Sequence, residues 1–458
     1  MTITILILIN YGILIFFIFS AIIYTLIFIV SVPGIITLFN RSRYTNIYSM
    51  IDTMELPPVT IITSIYNEGN DAIKSVLSSL NTNYKNLYII LVNDGSTDNT
   101  LELLVDSFEM IKEPFIFNQK IKTAEIFSIY VSMKNPGLML IDKKHSSVGD
   151  SLNAAINVCF TPYFITVDAD SIIDENAVSE FMFEMLSNNK TVSVGGSVYI
   201  LNNSLEQNGK ILSSRMPRTL IPALQSNEYL CSHLFNRTGW NSFGSSMSYS
   251  GTATIFSLKA VRAVGGFDVN NFAQDADMIM RLHHYMRRTK QAYQIRFNPA
   301  ATVWTDVPKS LKEFTWQRDR WQRGLLKSVL NHKAMIFNPK YKIQGLFSFP
   351  IFILLEIIAP FVEFTAYITL PIAYFLGILN GRSVILYMLL AWGFTTFLTV
   401  ANMFVSLITF NRYKKFKDII RMFLLSTIEM LGFRQYLTGV KVFASFHYFI
   451  NRIRGKSL

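Results

Sequence analysis

A long apolar stretch near the start of the chain is the strongest constraint on its fold. Within residues 6–32 no side chain is ionisable except those of Tyr11 and Tyr24, and about 20 apolar residues in a helix suffice to cross the hydrocarbon core of a bilayer. The stretch lacks the basic start, shorter apolar run and small-residue cleavage site of a signal peptide. We therefore expect a membrane-spanning helix within residues 1–40.

The composition fits a water-soluble domain joined to membrane helices. Of 458 residues, 50% are hydrophobic and 16% are charged, and the mean hydropathy is +0.31. This is too apolar for an ordinary soluble protein and too charged for a bundle made only of membrane helices. The formal net charge of +11 does not indicate nucleic-acid binding, because the central segment has no Lys/Arg cluster interleaved with aromatic residues. Cys159 and Cys231 are too few for a disulfide framework, and we expect both to be small core residues.

Two further apolar stretches, 347–379 and 384–410, predict a hairpin across the membrane. Basic residues follow the first apolar stretch, at Arg41 and Arg43, and also the last of these stretches, in the segment 411–417. Because basic residues favour the cytoplasmic side of a membrane, we expect a multi-pass protein of the plasma membrane whose N-terminus is outside and whose central domain is cytoplasmic.

Charged and proline residues complicate the C-terminal third. The last apolar segment, 419–450, is interrupted by four charged side chains, so we expect an amphipathic surface helix or a re-entrant segment rather than a full crossing. Acids and prolines within 347–379 fit either a polar path for a substrate or kinks with buried hydrogen bonds. The predicted parts are an N-terminal transmembrane helix at 1–40, a cytoplasmic α/β domain at 55–301, interfacial helices at 302–346, and a transmembrane hairpin with an amphipathic or re-entrant segment at 347–458.

Between the membrane segments, the pattern predicts an α/β domain with a mostly parallel sheet. Short β-rich runs at 58–65 and 87–92 are each followed by polar turn residues and a helical pattern. Ligands of such sheets bind beyond the carboxyl ends of the strands. The candidate residues at those ends are Tyr66-Asn67-Glu68, Asn93-Asp94-Gly95-Ser96-Thr97-Asp98 and Asp168-Ala169-Asp170.

Asp168 and Asp170 form a candidate cation site after an apolar strand predicted at 163–167. A bend at the end of the strand lets both carboxylates point the same way, and such a pair suits Mg²⁺ or Mn²⁺, whose shell phosphate oxygens can complete. A turn-capping aspartate is the alternative. Asp94, in an Asn-Asp-Gly-Ser sequence, is open to the same turn interpretation.

A later run combines aromatic and basic residues. In a helix, Gln317, Arg320 and Trp321 lie at i, i+3 and i+4 and therefore share one face, which can serve one site. The alternative is an interfacial helix anchored at the lipid headgroups by its tryptophans and arginines.

The order of these features resembles the membrane-bound inverting glycosyltransferases of family 2, the group that includes cellulose, chitin, hyaluronan and poly-N-acetylglucosamine synthases. The resemblance covers most of the chain and implies the GT-A fold. The matching positions are the opening strand through Glu68, Asp94, Asp168-x-Asp170, Gly195-Gly196, Ser250-Gly251, Gly265-Gly266-Phe267-Asp268, Gln274-Asp275-Ala276-Asp277 and Gln317-x-x-Arg320-Trp321.

The resemblance also implies a role for each matching residue. Asp275 would be the catalytic base, since inverting transfer needs a carboxylate that takes the proton of the acceptor hydroxyl. The alternative for Asp275 and Asp277 is favourable negative charge at the start of a helix. The other implied roles are donor binding by Tyr66, Glu68, Asp94, Asp168, Gln317 and Arg320, binding of Mg²⁺ or Mn²⁺ by Asp168 and Asp170, and acceptor binding by Trp321, Ser250 and Gly251.

Two positions depart from the family pattern. Many members have Gly-Lys where this chain has Ser147-Val148, so a cation near the donor is missing unless Lys143 or Lys144 replaces it. The usual Glu-Asp pair is Gln274-Asp275 here, which removes a neighbouring negative charge that would raise the pKa of the base.

The function implied is transfer of N-acetylglucosamine or glucose from a UDP-sugar to a growing β-linked polysaccharide at the cytoplasmic face of the lipid membrane. Export of the product by the C-terminal helices would follow. Two alternatives stay open: a non-processive enzyme acting on a lipid-linked acceptor, and an inactive nucleotide-sugar-binding subunit of a polysaccharide secretion complex. The six histidines show no shared metal-ligand spacing, so we expect them to be structural or surface residues.

Overall fold

The computed structural model describes residues 2–44, 56–410, 413 and 415–455. The domain boundary predicted at residue 55 and part of the basic segment predicted at 411–417 lie outside the described residues. Arg43 and Cys231 lie in helices that the structure describes, but the description does not extend to their side chains.

Apolar, β-branched runs form the strands of the central domain. Their bounds are β1 Val59–Ile65, β2 Leu87–Asn93, β3 Met110–Lys112, β4 Ile126–Ser132, β5 Leu138–Lys143, β6 Tyr163–Thr166, β7 Ser171–Ile173, β8 Thr191–Ile200, β9 Leu205–Gln207, β10 Lys210–Ser213, β11 Thr254–Ser257 and β12 Gln294–Thr305. Within the described residues, ten of them form one sheet in the order β3-β4-β5-β2-β1-β6-β11-β8-β12-β7, and β9 pairs with β10.

The sheet is mixed and largely parallel. β5, β2, β1 and β6 are parallel neighbours, as are β8 and β12, whereas β11 runs antiparallel to both β6 and β8. The α/β prediction is therefore confirmed. β12 runs to Thr305 and so crosses the boundary predicted at residue 301.

The helices are α1 Thr2–Tyr44, α2 Gly69–Leu80, α3 Thr100–Ser107, α4 Val148–Val158, α5 Ala177–Leu186, α6 Leu220–Cys231, α7 Thr238–Ser242, α8 Leu258–Ala263, α9 Gln274–Arg288, α10 Leu311–Asn331, α11 Phe349–Ile353, α12 Ala359–Phe375, α13 Gly381–Met388, α14 Phe394–Phe410, α15 Phe416–Ile428 and α16 Phe433–Ile453. Short 3-10 or π-helical turns lie at Ser232–Arg237, Lys333–Met335, Pro339–Tyr341, Gln344–Ser348, Leu354–Ile358 and Leu389–Gly393.

Two hydrophobic cores cover the two faces of the sheet. Ile61 and Ile65 of β1 pack with residues of α2, α3 and α5, whereas Ile62, which points to the opposite face, packs with residues of α4, α8 and α9. β1 is largely buried on both faces because helices cover both. This double burial leaves the ends of the strands as the place where polar side chains can meet.

Three helices within the described residues are long and apolar enough to cross a membrane: Ile3–Arg41, Gln344–Phe375 and Gly381–Val405. They occupy the three stretches for which we expected spans. The final predicted segment consists of two helices, α15 and α16, which are separated at Gly432, where φ is 111°.

The end of the first candidate span is tied to the α/β domain by Arg41. Its guanidinium donates to the carboxylate of Glu180 at 2.8 Å and to the side-chain oxygen of Asn298 at 2.9 Å, and it lies over the ring of Phe183 at 5.0 Å. Because all three partners belong to the α/β domain, that domain lies at the Arg41 end of the span.

The last helix, α16, connects a candidate span to α10. Arg434 forms an ion pair with Glu363 at 2.9 Å, and Lys441 pairs with Glu356 at 3.3 Å. On the α10 side, the hydroxyl of Tyr436 lies 2.6 Å from that of Thr315. Glu356 and Glu363, the acids within 347–379 for which the sequence left two interpretations, are thus paired with cations of α16.

Candidate active site

The carboxyl ends of β1, β2 and β6 lie at one edge of the sheet. In the parallel register, Ile65 at the end of β1 is opposite Asn93 at the end of β2. Asn67, held at φ 56°, joins the two loops that follow, because its side-chain oxygen accepts from the backbone N–H of Thr97 at 2.8 Å. The loops carrying the predicted donor-binding residues are therefore fixed to each other.

Asp168 and Asp170 follow β6 at the same edge. The backbone N–H of Asp168 donates to Thr252 Oγ1 at 3.0 Å, and Asp170 Oδ1 accepts from the hydroxyls of Ser171 at 3.1 Å and Thr305 at 3.2 Å. Burial, together with the charges of the other acids in this pocket, raises the pKa of Asp168 to about 7. Burial also raises the pKa of Asp170, against the hydrogen bonds from its two hydroxyl partners.

Asp275 lies in the first turn of α9 and is turned toward the same pocket. Burial raises the pKa of Asp275, while backbone N–H groups, including that of Gly251, act in the opposite direction. Gly251 is in van der Waals contact with Asp275, since a Cβ placed there would lie 3.5 Å from its carboxylate oxygen. The loop Ser250-Gly251-Thr252 therefore contacts Asp275 through Gly251 and the backbone of Asp168 through Thr252.

Asp277 has a different role from its neighbour on α9. Arg281 donates to its carboxylate at 2.8 Å, and the Nε2 atom of His332 lies 3.2 Å from its other oxygen. Although burial acts to raise it, these contacts hold the pKa of Asp277 below its ordinary value. Asp277 is thus a structural ion-pair residue, which fits the expectation that His332 is structural.

Ion pairs on α10 leave one arginine directed at the acidic pocket. Arg318 donates twice to Glu228, at 2.7 and 2.8 Å, and Arg323 pairs with Asp319 at 2.6 Å. Among the residues described, Arg320 Nε is buried and has no hydrogen-bond partner, and the same is true of Gln317 Oε1.

The charge of Arg320 interacts with Asp275, the predicted base, and with Asp168, a predicted donor and metal ligand. Burial lowers the pKa of Arg320, and the negative charges of Asp168 and Asp275 oppose that shift. The Arg320 guanidinium lies 4.6 Å from the centre of the Trp316 ring, whereas Trp321 is 36% exposed and has Arg318 over its ring at 4.5 Å. Arg320 is therefore close enough to Asp168 and Asp275 for their charges to interact.

Close backbone packing holds α10 beside Asp275. A Cβ at Gly324 would lie 2.5 Å from the backbone nitrogen of Ala273, two residues before Asp275. The side chain of Asn271 donates to Ser328 at 2.8 Å, and Lys327 donates to the carbonyl of Asn270 at 2.7 Å. These contacts fix the distance between the helix that carries Arg320 and the loop that leads to Asp275.

The pocket carries more negative than positive charge. Burial, with Asp170 and other nearby acids, raises the pKa of Glu68 to about 7, so that four carboxylates are destabilised as ions: those of Glu68, Asp168, Asp170 and Asp275. The cations that act on this group are Arg320 and the buried Arg237, whose pKa burial lowers to about 10.

This excess of carboxylate fits a divalent cation. No group of three or more His, Cys, Asp or Glu residues in the described chain is arranged to hold a metal ion. The residues present instead fit a cation held by Asp168 and Asp170 whose remaining ligands come from a phosphorylated substrate.

Asp94 is enclosed by a buried lysine. Lys143, which is 0% exposed, pairs with Asp94 and with Asp150, the latter at 2.9 Å, and donates to the carbonyl of Lys144 at 2.9 Å. The backbone N–H of Ser146 also donates to Asp94, at 3.2 Å. Lys143 is therefore occupied in holding Asp94, and the exposed Lys144 is the remaining candidate for a cation directed at the donor.

Tyr66 stacks on His145 at the rim of the pocket, with ring centroids 4.3 Å apart and an interplanar angle of 29°. The structure thus places Tyr66 and Asp94 around His145, whereas Asp168, Asp170, Asp275 and Arg320 form the acidic pocket. The individual binding and catalytic roles of these residues stay predictions.

Sequence reasoning missed three residues that shape the site. Thr252 directly follows the Ser250-Gly251 motif and holds Asp168. Arg237, whose charge acts on Asp275, is a basic residue buried against the rings of Tyr249 and Phe297. His145 was grouped with the structural histidines although it directly follows two lysines that we had considered as donor-binding residues.

Comparisons with known proteins show which chains this one is similar to. The chain is 26% identical over 276 residues to the poly-beta-1,6-N-acetyl-D-glucosamine synthase of Staphylococcus aureus strain MSSA476, which covers 60% of this chain and 56% of the relative. It is 24% identical over 400 residues to the synthase of the same name from Staphylococcus epidermidis strain ATCC 35984, covering 85% and 82%. The chain thus spans little more than half the length of the S. aureus relative.

A solved structure with a similar fold is that of the mannosyltransferase PcManGT from Pyrobaculum calidifontis in complex with GDP-Man and Mn²⁺. The TM-score is 0.53 at 13% identity, and the match covers 89% of this chain and 99% of that one. The arrangement of the sheet, the position of the site at its carboxyl edge and this structural similarity define the GT-A fold class, as predicted.

The chain belongs to Glycosyl transferase family group 2, whose model matches residues 163–413. The model of Glycosyl transferase family 2 matches residues 60–246. The prediction of a family 2 glycosyltransferase is therefore confirmed.

Asp168→Asn is expected to change stability in a pH-dependent way. Because the pKa of Asp168 is about 7 and an aspartate in an unfolded chain titrates near ~4, the folded protein binds this proton more tightly and loses stability as pH rises between these values. Asn removes that loss, so the midpoint of thermal unfolding should rise at pH 8 and change little at pH 5, and solvent screening at this exposed side chain makes the rise smaller than for an enclosed carboxyl. Fluorescence-monitored melting of detergent-purified protein measures this, with the exposed Asp106→Asn as control. Equal shifts at both pH values would contradict the raised pKa of Asp168.

Gly324→Ala is expected to destabilise the protein although alanine favours helices. The added Cβ would lie 2.5 Å from Ala273 N, and such overpacking typically costs ~1–3 kcal/mol. Gly439→Ala on α16 is the matched control, since a Cβ there meets nothing within 4 Å and the usual helix preference should stabilise the protein by up to about 1 kcal/mol. The two melting temperatures should therefore move in opposite directions. A stabilising Gly324→Ala would show that α10 does not pack tightly on the Asp275 loop.

Proposed function

We propose that the protein transfers N-acetylglucosamine or glucose, with inversion, from a UDP-sugar to a growing β-linked polysaccharide at the cytoplasmic face of the plasma membrane. The observation that carries the proposal is that Asp168, Asp275 and Arg320 lie close enough for their charges to interact at the carboxyl edge of the sheet. The names of the staphylococcal relatives support a polysaccharide product and N-acetylglucosamine as its sugar.

Asp275 is the base in this proposal. The acceptor hydroxyl oxygen bonds to the anomeric carbon of the donor from the face opposite the diphosphate, while the bond from that carbon to the diphosphate oxygen breaks and its electron pair leaves with UDP. The hydroxyl proton passes to the Asp275 carboxylate. Burial raises the pKa of this carboxyl, which makes its ionised form a stronger base even though the usual neighbouring acid is Gln274 here.

Arg320 and the acid pair serve the leaving group. The positive charge of Arg320 interacts with Asp168 and Asp275. The same charge would stabilise the negative charge that develops on the departing diphosphate. A divalent cation held by Asp168 and Asp170 would neutralise the diphosphate further; the relative in fold contains Mn²⁺, and either Mg²⁺ or Mn²⁺ suits two aspartates. Gln317, with an unpartnered buried Oε1 in the described structure, is placed on the same helix for a diphosphate or sugar hydroxyl.

Trp321 is suited to the acceptor. Its indole is 36% exposed, and an indole face can stack on the apolar face of a pyranose. Gly251 lies next to Asp275, where the acceptor hydroxyl must arrive, and Ser250 directly precedes Gly251 in the chain. Tyr66, Glu68 and Asp94 would receive the uridine part of the donor.

The membrane arrangement follows from Arg41. Since the α/β domain lies at the Arg41 end of the first candidate span, and basic residues favour the cytoplasmic side, the catalytic domain would be cytoplasmic. Residues 55–301, together with the end of β12 at Thr305, would then form the catalytic domain, the residues from there to 346 the interfacial part and 347–458 the membrane part. The C-terminal helices would guide the product outward, alone or with a secretion-complex subunit.

Asp275→Asn is expected to abolish turnover and spare donor binding. Release of UDP from UDP-N-acetylglucosamine or UDP-glucose by protein in membrane vesicles, with Mg²⁺ or Mn²⁺, should fall by about 10²- to 10⁴-fold. Calorimetric binding of UDP should stay within a factor of about 3, because the Asn is nearly isosteric. Glu102→Gln changes an exposed side chain of α3 and is the control. This variant should behave like wild type.

The product distinguishes the alternatives. Long polymer on sizing gels supports processive synthesis, whereas a lipid-sized product indicates the lipid-linked acceptor. UDP binding without metal-dependent UDP release in the wild type would contradict the enzymatic proposal and favour an inactive binding subunit.

A further inference from the structure

His145 occupies the place where a planar base would meet both Tyr66 and Asp94. Its imidazole is stacked on the Tyr66 ring at 4.3 Å. The Nδ1 atom of the same ring lies 2.8 Å from the backbone carbonyl of Asp94 and 3.1 Å from its carboxylate oxygen. His145 thus occupies the ring face of Tyr66 and the hydrogen-bond acceptors of Asp94, both of which the proposed function assigns to the nucleobase.

The carboxylate of Asp94 has little capacity left for a ligand. Lys143 and the N–H of Ser146 occupy it from the protein interior, and the Asp94 side chain is 5% exposed. His145 covers the outer side. A nucleobase N–H can therefore reach this acceptor only where the imidazole now lies.

The main chain of His145 is fixed, but its side chain is not. Gly95, at φ 66°, lets the two loops approach so closely that a Cβ there would lie 2.7 Å from the backbone nitrogen of His145. The His145 side chain itself is 54% exposed. Rotation of the side chain into solvent would uncover Tyr66 and Asp94 without moving the backbone.

We propose that His145 is a donor-pocket residue that imitates the nucleobase: its ring covers Tyr66 and Asp94 when the pocket is empty and must swing out when the donor binds. This inference rests on the proposed function, because it takes Tyr66 and Asp94 as the nucleobase site. Its consequence is that His145 weakens binding of the donor and of the UDP product alike, since both carry the base.

The test compares His145→Ala with wild type. Removal of the ring abolishes a hydrogen bond and a ring stack that the base must displace, so the Kd for UDP and the KM for the UDP-sugar should both fall by about 10-fold, with kcat changed by less than about 2-fold. His145→Phe keeps a ring that can stack on Tyr66, and its Kd should lie between the other two. Phe127→Ala, which removes an exposed ring elsewhere in the domain, should leave both constants unchanged.

The outcomes separate the inference from the proposed function. If wild type binds UDP and turns over but His145→Ala has an unchanged or higher Kd, His145 supports the base or is uninvolved, and the inference is overturned. A His145→Ala variant that binds UDP better than wild type supports it even if turnover is slow. If neither protein binds UDP or GDP in calorimetry, the nucleotide site itself is refuted, and both ideas fail together.

Discussion

Negative charge gathered at the carboxyl edge of the sheet is the constraint on which the rest of the structure depends. Burial raises the pKa of Glu68, Asp168, Asp170 and Asp275, which means that folding alone disfavours their ionised forms. Arg320 and Arg237 offset only part of this charge. Without a ligand, such a pocket lowers the stability of the folded protein. A cation or a cation-bound phosphate stabilises it, so the electrostatics that destabilise the fold also favour binding of the substrate.

The supporting structure keeps these charges together although they come from distant parts of the chain. Thr252 and Gly251 link Asp168 to Asp275 within three residues of loop. Gly324 brings α10 against the segment before Asp275, and α16 ties α10 to a candidate membrane span through the Glu363–Arg434 ion pair. The candidate membrane helices and the acidic pocket are thus connected by a continuous series of contacts.

Much of the fold followed from the sequence because its signals are local. The apolar run at 6–32 and the runs at 58–65 and 87–92 each specify a helix or strand through composition and periodicity. Asp168 and Asp275 could be singled out because strand ends and helix starts are recognisable, and because the order of motifs resembles a known family.

The remaining features depend on contacts between distant residues. Lys143 was considered as a ligand for the donor, yet its ammonium is buried between Asp94 and Asp150, a pairing that no spacing reveals. Arg237 meets the pocket only through tertiary packing, and the break at Gly432 divides what looked like one amphipathic segment. Antiparallel β11, inserted between β6 and β8, likewise cannot be deduced from the strand pattern.

The central claim is that Asp168, Asp170 and Asp275 surround one cation-bound diphosphate. The most direct measurement is a crystal or electron-microscopy structure with Mn²⁺ and UDP, with the metal located by its anomalous scattering where crystals allow. The account predicts Mn²⁺ bound by Asp170 and Asp168, with the diphosphate between it and Arg320 and with Asp275 facing the same cavity. A metal bound elsewhere, or a diphosphate out of reach of Arg320, would contradict it.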